Sequence, residues 1–316
     1  MKNDTFSGID SKAVASLDEA CEAFGLDREV EKRNLYYPDG NGEMLISPFN
    51  MQTVDVETNN PLGVVGNRYE VVPYRTAFSP AEPLLEQGAT IIGGGAPHFG
   101  EIGYLRMELP GVLHVGNAEI RNQFILRSSH NGTGKIEGRS TPYFTANRVA
   151  MTVDATRPLA FKHTRNVGTR IARAQQIFRR VNDNWNEFAE GIKKMIAHPL
   201  SEVEAKAFIE SITPSTAERT TRIDQIREDI YTLYTLTGQA RILPQCKGTL
   251  FGLVQAVGEW ADFHRTTRKS SKRDEKSAII DARLVSDAAK KKQKGFAMAL
   301  YLINNKKLEG ASPGGN

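Results

Sequence analysis

Four stretches between residues 89 and 144 determine the fold: ATIIGGG (89–95), EIGYLRMEL (101–109), EIRNQFILRSS (119–129) and KIEGRSTPYF (135–144). Glycine, proline and asparagine separate them at hairpin spacing, which predicts three or four antiparallel strands. Side chains alternate along a strand, so Phe124 and Leu126 share one face of the third stretch while Arg121 and Arg127 share the other. We therefore expect a β-meander with one apolar face and one cationic face.

The chain before this block reads as mixed structure. Residues 11–24 have apolar side chains at helical spacing, and MLISPFNMQTVDVET (44–58) reads as extended. A strand is predicted over Arg68–Val72, followed by a short helix over Ser79–Glu86 with Pro80 in its first turn.

After residue 156 the pattern becomes helical. Apolar residues from Ile171 to Met195 repeat in steps of three and four, which predicts one helix with a continuous heptad seam. Ser201 and Glu204 form a capping-box pattern for the next helix, and further helices are predicted over residues 219–237, 249–265 and 277–304. The sequence thus predicts an α+β protein in three parts: an acidic N-terminal segment (1–62), a β-rich core (63–160), and a helical region with a flexible tail (161–316).

Composition restricts the class of protein. The 316 residues carry a net charge of +4, yet residues 1–62 contain twelve Asp and Glu against five Lys and Arg, leaving +11 for the remainder. No run of about 18 apolar residues occurs, and the start of the chain lacks a signal-peptide pattern. Cys21 and Cys246 lie far apart, which favours a reducing compartment. We expect a cytoplasmic protein without a membrane segment or a cofactor.

Two basic patterns point to an anionic partner. The run from Arg157 to Arg180 holds seven Lys and Arg and no Asp or Glu. An ordinary solvated helix face would mix both signs, so an anion-binding face is favoured. The cationic sheet face adds Tyr104 and Tyr143, a composition typical of single-strand tracks; a normal wet sheet face is the alternative.

Catalytic and metal motifs are absent. SHNGTGK (129–135) lacks the spacing of a P-loop, because Ile136 follows the lysine, and Asn131-Gly132 favours a hairpin turn. The six histidines have no metal-ligand spacing. His130 and His163 are therefore expected to form hydrogen bonds or contact phosphate rather than act as general bases.

Several segments together resemble a known family. They are GVVGNRYEVVPYRTAF (63–78), SHNGTGK (129–135), TPYFTANRVAMTV (141–153), HTRNVGTRIARAQQIF (163–178) and GTLFGLVQAVGEWADFHR (248–265). Between residues 63 and 302 the chain resembles phage- and plasmid-like proteins that share a domain of unknown function, and this resemblance implies no reaction. The order of elements also resembles the phage single-strand annealing proteins of the RecT, Redβ and Erf type. That second resemblance implies a DNA strand held between a cationic sheet and a basic helix, with subunits in rings or filaments.

The leading hypothesis is an ATP-independent protein of a phage or mobile element that anneals or protects single-stranded DNA, works as a homo-oligomer and is not an enzyme. Its predicted nucleic-acid contacts are Arg106, Arg121, Arg127, Lys135, Arg139, Arg148, Arg165, Arg170, Arg173, Arg179 and Arg180. One alternative is a protein-interaction or host-takeover factor that binds through the heptad helix. Another is a metal-dependent nuclease built from dispersed carboxylates such as Asp262 and Asp281. The sequence leaves open whether DNA or RNA is bound, and whether the acidic N-terminal segment covers the basic surface.

Overall fold

A computed structural model describes residues 4–7, 9–151, 159–178, 185–215, 220–265, 279–280, 283–284 and 286–305. Its strands are β1 (Val30–Pro38), β2 (Met44–Asp55), β3 (Pro61–Gly66), β4 (Thr90–Gly95), β5 (Ile102–Val115), β6 (Ala118–Ser129), β7 (Ile136–Ser140), β8 (Tyr143–Phe144), β9 (Val149–Ala150) and β10 (Leu159–Phe161). Its helices are α1 (Leu17–Ala23), α2 (Tyr74–Ala77), α3 (Glu82–Glu86), α4 (Val167–Phe178), α5 (Trp185–Ile196), α6 (Glu202–Ile212), α7 (Thr220–Thr232), α8 (Leu250–Glu259) and α9 (Asp287–Asn305). The antiparallel sheets lie mainly in the first half of the chain and the longer helices in the second, so the protein is α+β as predicted.

The larger sheet is the predicted meander. Its strand order is β10-β7-β6-β5-β4, with β8 paired to β6 and β9 paired to β8, and each pairing is antiparallel. The four stretches recognised in the sequence form β4, β5, β6, and β7 with β8. Hairpin punctuation and alternation were therefore sufficient to place these strands.

A smaller sheet has the order β1-β2-β3. The β1–β2 ladder continues from Asn34↔Met51 to Pro38↔Met44, whereas β3 pairs no farther along β2 than Asn50. Residues 35–49 thus form a two-stranded projection, called the arm below. The prediction of a strand over Arg68–Val72 is wrong: the strand ends at Gly66, and these residues form a turn and an irregular segment.

Two large apolar cores pack against the larger sheet. Leu105, Met107, Phe124 and Leu126 pack with α1, α2, α3 and α4 in one core. Helices α5 to α9 form the other core, which reaches Ile120 and Phe144. The predicted capping box of α6 is present, because Ser201 and Glu204 exchange hydrogen bonds.

The heptad seam is divided between these two cores. Ile171 and Ala174 of α4 lie in the first core, whereas Phe188, Ile192 and Met195 of α5 lie in the second. The prediction of one seam along one surface is therefore wrong as to packing, since an apolar period predicts burial without identifying the partner. Residues 179–184 of the predicted helix lie outside the described residues.

A segment near the N-terminus and a segment just before α9 pack against the predicted cationic face of the meander. Phe6 from the first and Ile280 and Leu284 from the second form a cluster with Tyr104 and Ile125. Two isolated bridges, Asp10↔Gly94 and Val14↔Ile91, also join the N-terminal segment to β4. The part of this face around Tyr104 and Ile125, which alternation assigned to solvent, is therefore covered.

Candidate functional site

Two arginines predicted to be open to solvent, Arg106 and Arg127, are each only 8% exposed. The Arg106 guanidinium lies 3.9 Å from the centroid of the Phe6 ring, and its Nη2 donates to Gln123 Oε1 at 2.9 Å. Burial lowers the pKa of Arg106 from its usual value. The expectation of an open cationic face is wrong at these positions, because a cover from distant sequence cannot be read from strand alternation.

The remaining arginines on this face have carboxylate partners. Arg121 lies 3.2 Å from a Glu119 oxygen. Glu137 accepts from Arg139 at 2.9 Å and lies 3.5 Å from Arg127. The positive charge of this face is therefore largely compensated within the protein.

The other predicted contacts fall into two groups. Arg148 is half-buried with a left-handed backbone (φ 59°), and its carbonyl accepts from Thr5 N at 3.1 Å. Arg165, Arg170 and Arg173 are all exposed; Arg165 lies two residues before α4, and the other two lie on it. Arg179 and Arg180 lie outside the described residues, as do Arg157 and Asp281.

A cleft of about 570 Å³ lies beside the meander, where three of the motifs meet. GNRY (66–69), GTGK (132–135) and KHT (162–164) line it together with Phe49 from the arm. None of these lining residues is Asp or Glu. The cleft therefore joins segments that are far apart in the sequence into one cationic concavity.

The glycine-rich loop is fixed by its own contacts. Asn131 Oδ1 accepts from Thr133 N at 3.0 Å and from Thr133 Oγ1 at 2.6 Å, and Gly132 has φ 74°. The smaller sheet lies directly under the loop, because a Cβ added to Gly63 would be 2.5 Å from Asn131 Cα. Successive backbone N–H groups held in such a turn are a common anion-binding element.

The charges around the cleft have no carboxylate partners among the described residues. Arg68, Lys135 and Lys162 line it and are exposed, and none of them is within ion-pair distance of a described Asp or Glu. Arg165 follows the lining residue Thr164 directly. The cleft thus differs from the sheet face: its cations remain available to an external anion.

Two histidines support the walls of the cleft. His163 lines it, stacks on Tyr69 with ring centroids 4.8 Å apart, and places Nδ1 3.3 Å from the Glu70 carbonyl oxygen. His130 stacks on Tyr74 and places Nε2 3.0 Å from a carbonyl oxygen. A carbonyl can only accept, so these nitrogens donate. Burial lowers the pKa of both histidines to about 4, so both rings are neutral at pH 7.

Sequence reasoning found part of this cleft. Lys135 was among the predicted contacts, whereas Arg68 and Phe49 were missed and Lys162 was noted only as part of the basic run. The signal was present: all three lining segments belong to, or directly adjoin, motifs that carried the family resemblance. What the sequence lacked was their convergence, which depends on β3 packing under the glycine loop.

No group of three or more His, Cys, Asp or Glu suited to a metal ion occurs among the described residues. Asp262, considered above as a nuclease carboxylate, is buried and accepts from Lys292 Nζ at 2.9 Å and from Thr5 Oγ1 at 2.5 Å. Within the described part of the chain, no helix has both the length and the apolarity needed to span a bilayer.

Comparison with known protein families identifies the family of the chain. A family model described as "Domain of unknown function (DUF932)" matches residues 61–283. No curated protein and no solved structure has a significant match to the chain. The matched region contains all three segments that line the cleft, but not Phe49 in the arm.

Proposed function

The chain belongs to the DUF932 family, which has no assigned activity, and we propose from the geometry of its cleft that it binds nucleic acid. The observation that carries this proposal is the uncompensated charge of Arg68, Lys135 and Lys162 beside a fixed glycine loop. Cations without internal partners can neutralise backbone phosphates and release the counterions condensed on them.

A single strand fits the cleft better than a duplex. Phe49 lines the cleft and is 76% exposed, so its ring is available for stacking against a base. Cations for the backbone together with aromatic rings for the bases form the usual single-strand track. The basic residues Arg165, Arg170 and Arg173 extend the surface onto α4, so the strand would leave the cleft along that helix.

We place this binding in strand annealing or protection during the recombination or replication of a phage or mobile element. In this proposal the protein works without ATP, as a homo-oligomer, in the cytoplasm of the host. Annealing requires positive charge that neutralises the repulsion between the two backbones, and it requires bases that remain exposed for pairing. It requires no group that breaks a bond. Of the contacts predicted from the sequence, the proposal keeps Lys135, Arg165, Arg170 and Arg173, and it adds Arg68 and Lys162. It removes the buried Arg106 and Arg127 and the paired Arg121 and Arg139. The half-buried Arg148, and Arg179 and Arg180 outside the described residues, stay predictions.

The alternatives receive less support from the geometry. Of the heptad side chains proposed to bind a partner helix, five whose burial is described lie in the protein's own cores; Ile192 and Met195, for example, are 0% exposed. The nuclease alternative named Asp262 and Asp281 as examples of its carboxylates. Asp262 already accepts from Lys292 and Thr5, and Asp281 lies outside the described residues.

Fluorescence anisotropy with a labelled single-stranded oligonucleotide tests the proposal. Lys135→Gln removes one cleft cation and should weaken binding several-fold, while Lys247→Gln, an exposed lysine outside the cleft, should leave the affinity unchanged. Equal affinities for the two variants would contradict the assignment to the cleft.

A further inference from the structure

Two lysines of the cleft lie next to each other at the end of a strand pair. Strands β7 and β10 pair antiparallel with Ile136 opposite Phe161, so Lys135 and Lys162 occupy the next opposed positions of this register. Both lysines line the cleft, and both are exposed. Like charges at opposed positions of an antiparallel pair are destabilising. An anion held between the two ammonium groups would remove this repulsion.

The glycine loop supplies further donors at the same place. The backbone N–H groups of Gly132 and Gly134, which both line the cleft, have no hydrogen-bond acceptor among the described residues. A Cβ added to Gly134 would lie 2.6 Å from Ser129 Oγ, so the loop can pack this closely on β6 only with glycine at this position. The loop thus presents backbone donors beside the two lysines.

This set of donors suits a terminal phosphate better than a phosphate inside a strand. A phosphodiester carries a single negative charge and has two free oxygens. A phosphate monoester carries about −1.5 to −2 at neutral pH and has three acceptor oxygens. Two ammonium groups and two backbone N–H groups match the charge and the oxygens of the monoester.

The unpaired cations beside the cleft continue toward α4. Arg165, Arg170 and Arg173 are exposed there, and none of them is within ion-pair distance of a described Asp or Glu. They can therefore neutralise the phosphates of a strand that leaves the cleft in this direction.

On the side of the arm, the described residues offer a strand no comparable charge. The only charged residues of the arm are Asp39 and Glu43, and both are acidic. At its base, Lys32 Nζ donates to two backbone carbonyls, and Arg33 pairs with Glu31 at 2.6 Å. A strand that continued past the cleft toward the arm would meet carboxylates and cations that already have partners. The distribution of charge therefore favours a strand that ends in the cleft.

We propose that the cleft binds the phosphorylated end of a nucleic-acid strand, with the terminal phosphate between Lys135 and Lys162 and the rest of the strand along α4. This inference rests on the nucleic-acid binding proposed above and specifies which part of the strand enters the cleft. The volume of about 570 Å³ is that of a small-molecule site, which has room for about one or two nucleotides.

Fluorescence anisotropy with matched single-stranded oligonucleotides tests this proposal. The oligonucleotides have one sequence and carry a 5′-phosphate, a 3′-phosphate or only hydroxyl ends, with the fluorophore at the end that is not varied. One of the two phosphorylated oligonucleotides should bind the wild type about tenfold more tightly than the hydroxyl form, because the added charge gains at least one charge-assisted hydrogen bond.

Two variants separate the end site from the rest of the track. Lys162→Gln should bring the ratio of the two affinities close to one. Arg170→Gln, on α4 and outside the cleft lining, should weaken the binding of both oligonucleotides and leave their ratio unchanged. Both positions are exposed, so circular dichroism should show the wild-type fold for each variant.

Each other outcome has a defined meaning. Equal affinities for the phosphorylated and hydroxyl forms, or a preference that survives Lys162→Gln, would overturn the end site and leave nucleic-acid binding standing. No binding of any oligonucleotide would overturn both proposals. A nucleoside monophosphate that displaces the phosphorylated oligonucleotide as effectively as that oligonucleotide itself would show a free-nucleotide site and would overturn the strand end as the ligand.

Discussion

His130 and His163 are the side chains whose protonation should couple most strongly to the fold. Both are buried, and each has one ring nitrogen without a partner among the described residues: Nδ1 of His130 and Nε2 of His163. Since the other nitrogen of each ring donates to a carbonyl, protonation would place a second, unsatisfied N–H in the interior. Burial, which removes the charged ring from water, lowers the pKa of both from 6.5 to about 4, and the missing partner adds to the cost of protonation.

This burial predicts that acid weakens the fold. The unfolded chain binds protons on these histidines below pH 6.5, whereas the folded chain does not until about pH 4. The free energy of unfolding is therefore unaffected by these two groups above about pH 6.5 and decreases as the pH falls toward 4. At pH 5 the loss is about 2 kcal/mol per histidine. Urea unfolding at pH 7 and pH 5 measures it.

The same experiment has a matched comparison. His163→Phe removes one of the two titrating groups and should reduce the loss between pH 7 and pH 5, whereas His114→Gln, an exposed histidine, should not. A pH dependence that is unchanged by His163→Phe would show that carboxylates, and not these rings, control acid sensitivity.

The sequence predicted which sheet face carries the arginines, but it did not predict which of these guanidinium groups are accessible to an external anion. Arg106 and Arg121 alternate onto the same face as expected, yet Arg106 is covered by Phe6 and Arg121 is paired with Glu119. Lys135 follows a glycine turn and is exposed, so its prediction as a contact stays open to test. A strand pattern specifies a face, but the cover on that face comes from residues more than 90 positions away.

Among the helices and strands, the sequence predictions were correct where interactions between residues close in the sequence determine the structure. The meander strands, the α6 capping box and the short helix after Ser79 were all predicted from alternation, turn residues and caps. The prediction of a strand over Arg68–Val72 is wrong although its β-branched and aromatic residues suit a strand. Lys32 Nζ donates to the carbonyl oxygens of Asn67 and Tyr69, so these carbonyls bond to a side chain and not to a neighbouring strand. The divided heptad seam likewise depends on tertiary packing.

Strand β3 supports the glycine loop, which predicts different effects at two of its glycines. Gly63→Ala would bring a Cβ to 2.5 Å from Asn131 Cα, whereas a Cβ at Gly66 meets nothing within 4 Å. Gly63→Ala should therefore destabilise the protein by about 1–3 kcal/mol and weaken oligonucleotide binding by displacing the loop. Gly66→Ala should leave the stability unchanged, as chemical denaturation would measure; Gly66 itself lines the cleft, so only its stability serves as the control. Equal stability of the two variants would contradict the close packing of β3 under the loop.

In the molecule as a whole, a buried ion pair connects the segment around Thr5 and the segment around Arg283 to the helical core. Asp262, just after α8, binds Lys292 of α9 and the hydroxyl of Thr5, and the Arg283 guanidinium donates to both the Asp4 and the Asp262 carbonyls. This arrangement holds the cover in place over Arg106.

Breaking that ion pair should be costly. Lys292→Ala leaves the buried Asp262 carboxylate without its cation and should destabilise the fold by about 3–5 kcal/mol. Lys290→Ala removes the cation of an exposed pair with Asp287 on the same helix and should change stability little. Thermal unfolding of both variants measures the difference, and similar melting temperatures would mean that the Asp262 site is hydrated rather than buried.

Charge is distributed unevenly over the molecule: cations on the meander face are buried or paired with carboxylates, whereas those at the cleft have no carboxylate partner among the described residues. The most direct test is the salt dependence of single-stranded oligonucleotide binding. Neutralising Arg68, Lys135 and Lys162 together with Gln should reduce the slope of log K against log salt by about 2, whereas the paired variant Arg121→Gln with Arg139→Gln should leave the slope near the wild-type value. An unchanged slope in the cleft variant, or a reduced slope in the meander variant alone, would contradict the account.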